Sequence, residues 1–193
     1  MFFQRLFFSL LLIFFLLAAC AETQSTSSGE SYMDGTWLTS CQSSYKKIVK
    51  IVINGSAGTE YDYHYSNSSC SDSSKYLEKR YYWKDVKYGD EITFQSGGKG
   101  RRFSTNMERV TFIPLTSDFV IYLNYYGVCG FWNWSLNSEK EVSGRSCSGV
   151  AYPPHNTSLF NLYMRSGNNA WIGTSSATGY PSSVDLSVTY VKQ

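Results

Sequence analysis

Hydrophobic and polar residues alternate along most of the chain with the period of two that is typical of β-strands. Residues 45–53 are rich in β-branched side chains and end at Asn54-Gly55, a dipeptide that favours a tight hairpin turn. The segment 59–66 alternates between two faces, one with Tyr61, Tyr63 and Tyr65, the other with Asp62, His64 and Ser66. These patterns predict an antiparallel hairpin near the start of the folded domain.

Six further segments have strand-forming patterns: residues 76–86, 91–95, 109–115, 131–136, 159–164 and 184–191. Apolar residues at helical spacing between Ser117-Asp118 and Gly127 predict one short helix, and the Gly-rich run 97–100 predicts a loop. Many short strands and a single helix favour an all-β fold, an antiparallel up-and-down or lipocalin-like barrel.

The N-terminus has the pattern of a secretory signal. Arg5 precedes a twelve-residue, mostly apolar run, 6–17, which is too short to span a bilayer as a helix. The run ends in Leu17-Ala18-Ala19-Cys20, which resembles the lipobox of bacterial lipoproteins, and the alternative is an ordinary signal peptide cut after a small residue. The resemblance implies a signal peptide over 1–19, acyl chains such as palmitate attached at Cys20, and a membrane anchor.

Residues 20–33 are polar and rich in serine and threonine, which predicts a flexible tether followed by one domain over 34–193. Ala21 and Glu22 after the cysteine differ from the Asp that resembles an inner-membrane retention signal. We therefore expect a lipid-anchored protein of the bacterial envelope, at the outer membrane.

Cysteine usage agrees with an oxidising compartment. The chain has 5 cysteines, and assigning Cys20 to the anchor leaves an even set, Cys41, Cys70, Cys129 and Cys147. Three pairings are open. We prefer the sequential one, Cys41–Cys70 and Cys129–Cys147, because each pair flanks one candidate hairpin unit.

Gly35-Thr36-Trp37 at the first strand resembles the Gly-x-Trp motif of lipocalins, and 65–70, 129–137 and 180–185 are similar to segments of uncharacterised bacterial lipoproteins. The chain thus resembles a lipocalin-like, calycin-type lipoprotein. The resemblance implies that Trp37 plugs one end of the barrel. Lipocalins place an arginine over this tryptophan, and the candidate cation here is Lys192.

Candidate chemistry is sparse. The chain has 2 histidines, His64 and His155, and we interpret both as solvated, His64 because it lies opposite the tyrosine face of its strand. No Gly-x-Ser-x-Gly elbow, phosphate loop or dinucleotide fingerprint is present. We expect no metal, no cofactor and no enzymatic activity. An enzyme is the third hypothesis, and it would need a pocket that brings His64 or His155 together with a carboxylate.

Residues 75–102 contain eight basic and four acidic residues interleaved with aromatics. Tyr82, Trp83, Arg101 and Arg102 are candidates for a binding patch for anionic glycans or lipid head groups, and the alternative is an ordinary solvated strand face. A location in the cell envelope argues against nucleic acid as a binding partner. The oligomeric state stays open.

The leading functional hypothesis is binding of a small apolar or amphipathic ligand in the barrel mouth. The alternative is a surface module that contacts glycan or protein through exposed aromatics and the basic stretch.

Overall fold

The computed structural model describes residues 33–94 and 98–193. The predicted signal peptide 1–19, Cys20 and the tether as far as residue 32 lie outside the described residues. Met33, the last residue of the predicted tether, is 1% exposed, and its carbonyl accepts a hydrogen bond from the Trp37 indole at 2.8 Å. The packed domain therefore includes Met33.

Eleven strands are described: β1 Gly35–Thr39, β2 Lys47–Asn54, β3 Ala57–Tyr65, β4 Lys75–Thr93, β5 Lys99–Pro114, β6 Lys140–Glu141, β7 Ser146–Cys147, β8 Val150–Ala151, β9 Ser158–Ser166, β10 Asn169–Ile172 and β11 Tyr190–Lys192. Eight of them pair antiparallel in the order β4-β3-β2-β1-β11-β10-β9-β5, and β5 pairs back with β4. The sheet is thus a closed eight-stranded antiparallel barrel, which confirms the predicted fold class.

Alternating aliphatic residues of β2 provide one wall of the barrel core. Val49, Ile51 and Ile53 are each nearly inaccessible to solvent, whereas the residues between them are partly exposed. Trp37 of β1 lies opposite Ile51 in the register and is fully buried. The two-residue period of the sequence therefore corresponds to an inner and an outer surface.

The predicted helix is present as α1, Ser117–Tyr125. Its N-cap is Thr116, one residue earlier than the predicted cap, and the Thr116 hydroxyl accepts a hydrogen bond from the Phe119 amide at 3.3 Å. Gly127 follows the helix with φ of 57°, the left-handed conformation that favours glycine. No helix in the described ranges is long and apolar enough to cross a membrane.

Both preferred disulfides are confirmed. Cys41 and Cys70 join the β1–β2 loop to the β3–β4 connection, with their Cα atoms 5.8 Å apart. Cys129 and Cys147 join the segment after α1 to β7, with Cα atoms 4.2 Å apart. The four cysteines thus lie outside the eight barrel strands.

Two predicted strands are wrong. Residues 131–136 form an irregular loop, because Trp134 pairs with a side chain instead of a strand: its amide donates to Asn124 Oδ1 at 2.7 Å, and its carbonyl accepts from Asn124 Nδ2 at 3.0 Å. Of residues 184–191, only the last two are in a strand, since Asp185 forms a turn by accepting from the Ser187 amide at 2.9 Å. Lys99 and Gly100, predicted as loop, begin β5.

Candidate functional site inside the barrel

The polar face of β3 lies inside the barrel. Asp62 is opposite the buried Val49 on β2 and opposite Lys79 on β4, and directly opposed residues of antiparallel strands share a face. Glu60 and His64, two residues to either side, face inward with it. The interpretation of His64 as a solvated histidine is therefore wrong.

The tyrosine face of β3 is the outer face. Tyr61 and Tyr63 stack with ring centroids 6.2 Å apart. Lys50 Nζ lies 4.1 Å from the Tyr61 ring centre, and Lys75 Nζ lies 4.6 Å from that of Tyr63. Cations thus cover the outer rings. Tyr65 departs from this face and is buried, because the register shifts between His64 and Tyr65.

An ion pair and a hydrogen-bonded chain satisfy most of the inner polar groups. Lys47 Nζ lies 3.3 Å from Asp62 Oδ2. Lys79 Nζ donates to Tyr152 Oη at 2.9 Å, and the Tyr152 and Tyr81 hydroxyls share a hydrogen bond. The Glu60 carboxyl is hydrogen-bonded to that of Asp62. We call this group the inner polar cluster: Lys47, Glu60, Asp62, Lys79, Tyr81 and Tyr152.

Burial shifts the protonation of this cluster. Desolvation, followed by the nearby Asp62 carboxylate, raises the pKa of Glu60 from 4.5 to about 8. Desolvation also lowers the pKa of Lys79 and raises the pKa of Tyr152 to about 12. The Glu60 proton explains how two carboxyls can share a hydrogen bond, because one of them must donate.

His64 is held neutral. Desolvation, followed by the positive charge of Lys79, lowers the pKa of its imidazole to about 4. Its Nε2 atom is buried and has no hydrogen-bond partner among the described residues. The second histidine, His155, is on the surface, where its Nε2 lies 2.6 Å from Glu141 Oε1. No group of three His, Cys, Asp or Glu side chains within the described ranges is arranged to hold a metal ion.

Two cavities meet at the inner polar cluster. Cavity A has a volume of about 430 Å³ and extends from Val49, Ile51 and Tyr190 to the β1–β2 loop. Cavity B has a volume of about 510 Å³ and is lined by Tyr81, Met107, Tyr152 and Leu159. Glu60, Trp83 and Ser175 line both. Glu60 is therefore a carboxyl at the junction of a largely apolar space, cavity B, and a more polar one, cavity A, which Asn161 and Thr174 also line.

Trp37 is the middle residue of β1. It follows Gly35 by two residues, and Gly35 pairs with Ile53 beside the β2–β3 turn. Lys192 Nζ is 5.7 Å from the Trp37 ring centre, and Arg165 Cζ is 5.4 Å from it. The sequence identified Lys192 but not Arg165, which comes from β9 rather than the last strand. Both cations pack over the buried indole.

The structure does not bring the four predicted patch residues together. Trp83 points into the barrel and is 6% exposed, whereas Tyr82 points outward and has Arg109 Cζ 4.1 Å from its ring centre. Tyr82 pairs with Arg109 in the register, eight residues along β5 from Arg101. Arg102 packs against Tyr180, with Cζ 5.1 Å from the ring centre. Trp83 therefore belongs to the cavities, Tyr82 and Arg102 are apart from it and from each other, and Arg101 is opposite the buried Tyr163 in the register.

A different aromatic surface lies on α1 and the loop after it. Tyr125 is 74% exposed, Trp132 69% and Tyr126 63%. Tyr122 and Tyr126 have ring centroids 4.9 Å apart, as do Tyr125 and Tyr126. We call these four residues the α1 aromatic surface. Residues 119–138 include no charged side chain.

Sequence reasoning missed the inner polar cluster. The available signal was the alternation of Glu60, Asp62 and His64 beside a strand, 47–54, that is rich in aliphatic residues. Comparison with known proteins finds no protein-family model and no curated protein that matches this chain.

Proposed function

We propose that this protein binds a small amphipathic molecule inside its β-barrel while a lipid attached at Cys20 anchors it in the bacterial envelope. The observation that carries the binding proposal is the meeting of cavities A and B at Glu60, Trp83 and Ser175. Concave sites with apolar walls and a few converging polar groups are the usual form of small-molecule sites. Here Trp83, Met107 and Leu159 are among the apolar wall residues. The polar groups include Glu60 of the inner polar cluster, and also Asn161 and Ser175.

Blocking the junction tests the binding proposal. Ser175 is exposed at the rim of both cavities, so Ser175→Trp is expected to fold and to occupy the space with its indole. Titration with an amphipathic probe such as 2-phenylethanol, followed by ¹H–¹⁵N NMR, should shift the amide signals of Glu60 and Trp83 in the wild type and not in Ser175→Trp. Ser138→Trp, on an exposed turn, is the matched control. Equal shifts in both variants would contradict binding in the barrel.

The envelope address rests on the sequence pattern at Leu17–Cys20. Mass spectrometry of the N-terminal peptide from cells should find a diacylglyceryl group and acyl chains on Cys20. A Cys20→Ser variant should stay unlipidated. An unmodified Cys20 in the wild-type protein would overturn this half of the proposal.

A second function is favoured by the α1 aromatic surface, whose exposed tyrosine and tryptophan rings suit stacking on sugar rings or on a partner protein. A Tyr125→Ser/Trp132→Ser variant should then lose retention on immobilised envelope polysaccharide or on intact cells lacking the protein. Unchanged retention would remove this candidate.

A further inference from the structure

Glu60 lines both cavities and forms no ion pair among the described residues. Its neighbour on the inner face, Asp62, has Lys47 Nζ at 3.3 Å from Oδ2. Asp185 also lines cavity A, but it is exposed, and its carboxylate accepts hydrogen bonds from Ser187. The inner polar cluster contains two lysines, Lys47 and Lys79.

Both lysines are already engaged. Lys47 Nζ pairs with Asp62 Oδ2 at 3.3 Å, and Lys79 Nζ donates to Tyr152 Oη while lying 5.2 Å from the Phe112 ring centre. The other oxygen of Asp62, Oδ1, is buried and has no hydrogen-bond partner among the described residues. Asp62 can therefore accept a further hydrogen bond from a donor inside the barrel.

The walls around Glu60 suit a cation as well. Trp83 lines both cavities, Tyr190 lines cavity A, and Tyr81 lines cavity B. Aromatic faces attract ammonium groups, most strongly where water is excluded. Cavity B has no charged lining residue other than Glu60 among the described residues, so it can take the apolar body of a ligand.

We propose that the ligand of the barrel is an organic cation, a primary or substituted amine whose ammonium group binds between Glu60 and Trp83 and whose apolar body fills cavity B. This inference rests on the proposed function, that the barrel binds a small amphipathic molecule. On binding, the protonated amine replaces the Glu60 proton: the Glu60 carboxyl gives one proton to solvent, and its carboxylate pairs with the ammonium group.

Three probes that share a phenyl ring on a two-carbon chain separate the charge from the apolar body: 2-phenylethylammonium, 2-phenylethanol and 3-phenylpropanoate. Isothermal titration at pH 7 should show the amine binding at least about tenfold more tightly than the alcohol, the value of one charge-assisted hydrogen bond. The carboxylate should bind most weakly. Comparing buffers of different ionisation enthalpy should show proton release on amine binding, and affinity should rise from pH 6 to pH 7 by up to about tenfold.

Two variants assign the effect to Glu60. Glu60→Gln is a neutral isostere of the protonated side chain and is expected to fold, as thermal unfolding will check. It should reduce the preference for amine over alcohol to less than about twofold and abolish proton release, while alcohol binding stays. Glu91→Gln, a matched change at a half-exposed carboxylate paired with Lys99, should behave as the wild type.

The outcomes separate this inference from the binding proposal on which it rests. If the wild type prefers the amine and Glu60→Gln removes that preference, the result supports an organic cation as the ligand. Equal or tighter binding of the alcohol or the carboxylate overturns the cation inference and leaves barrel binding in place. Binding of none of the three probes overturns both.

Discussion

The two faces of β3 both carry polar side chains but have opposite environments. On the outer face, Tyr61 stacks on Tyr63, and Lys50 and Lys75 lie over the two rings. The inner face places Glu60 and Asp62 among aliphatic and aromatic walls. Tyrosine tolerates half-burial because only its hydroxyl needs water, whereas a carboxylate placed inside needs cations or a proton. The pKa shifts of Glu60 and His64 on the inner face are larger than that of Tyr63 on the outer face, whose pKa burial raises to about 12.

The largest expected difference between the faces comes from removing a charge. Asp62→Ala leaves Lys47 and Lys79 without their shared carboxylate, which should lower the free energy of unfolding by about 3 kcal/mol. This is near the low end for a buried pair, because the Lys47 side chain is 27% exposed. Urea denaturation measures it. The control on the outer face, Tyr63→Ala, should lower the free energy of unfolding by about 1 kcal/mol or less. Equal losses in the two variants would contradict the difference between the faces.

The next effect is a loss of folding stability at alkaline pH that depends on Glu60. Its folded pKa of about 8 is above the ordinary 4.5, so the folded state binds this proton more tightly than the unfolded chain. The stabilisation is complete at acid pH and is lost as the pH rises from about 4.5 through 8. Relative to Glu60→Gln, the wild type should lose about 2 kcal/mol between pH 5 and pH 9, after allowance for solvent screening. Parallel pH profiles for the two proteins would contradict the assignment.

His64 should give the opposite dependence of stability on pH. Its folded pKa of about 4 is below the ordinary 6.5, so the unfolded chain takes up the proton first and stability is lost as the pH falls from about 6.5 toward 4. His64→Leu should remove this acid loss, worth about 1 to 2 kcal/mol. His155→Leu keeps His64 and should keep the acid loss, as thermal unfolding from pH 4 to pH 7 can show.

The smallest effect belongs to the outer surface. Arg109→Ala removes the guanidinium 4.1 Å from the Tyr82 ring centre and should cost about 0.5 to 1 kcal/mol, the range for exposed cation–π pairs. Urea denaturation with Arg109→Lys alongside separates the cation from the side-chain stem. A loss as large as that of Asp62→Ala would show that the outer face is not the weaker one.

Much of the fold was predictable because it follows from local patterns. The period of two gave the strands, Asn54-Gly55 the first hairpin, and Gly127 the end of the helix. The disulfide pairing followed from cysteines that flank neighbouring elements. Residues 131–136 were mispredicted because strand-forming side chains there are held by Asn124, a contact across ten residues that no local pattern contains.

The site was harder to predict for a specific reason. Alternation assigns residues to two faces but does not state which face is inside, and a tyrosine face has the higher hydrophobicity. What keeps Asp62 and Lys79 inside is long-range: Lys47 comes from β2, and Tyr152 comes from a segment 73 residues beyond Lys79. The same reasoning explains why Trp83 was grouped with Tyr82 although successive strand residues point apart.

The most direct test is the titration of the Glu60 side chain by ¹³C NMR, with its carboxyl signal assigned by its loss in Glu60→Gln. A carboxyl inside the barrel, hydrogen-bonded to Asp62, should titrate with a pKa of about 8. A midpoint near the ordinary value of 4.5 would mean that this face of β3 is open to water, and it would contradict the buried polar cluster on which the binding site depends.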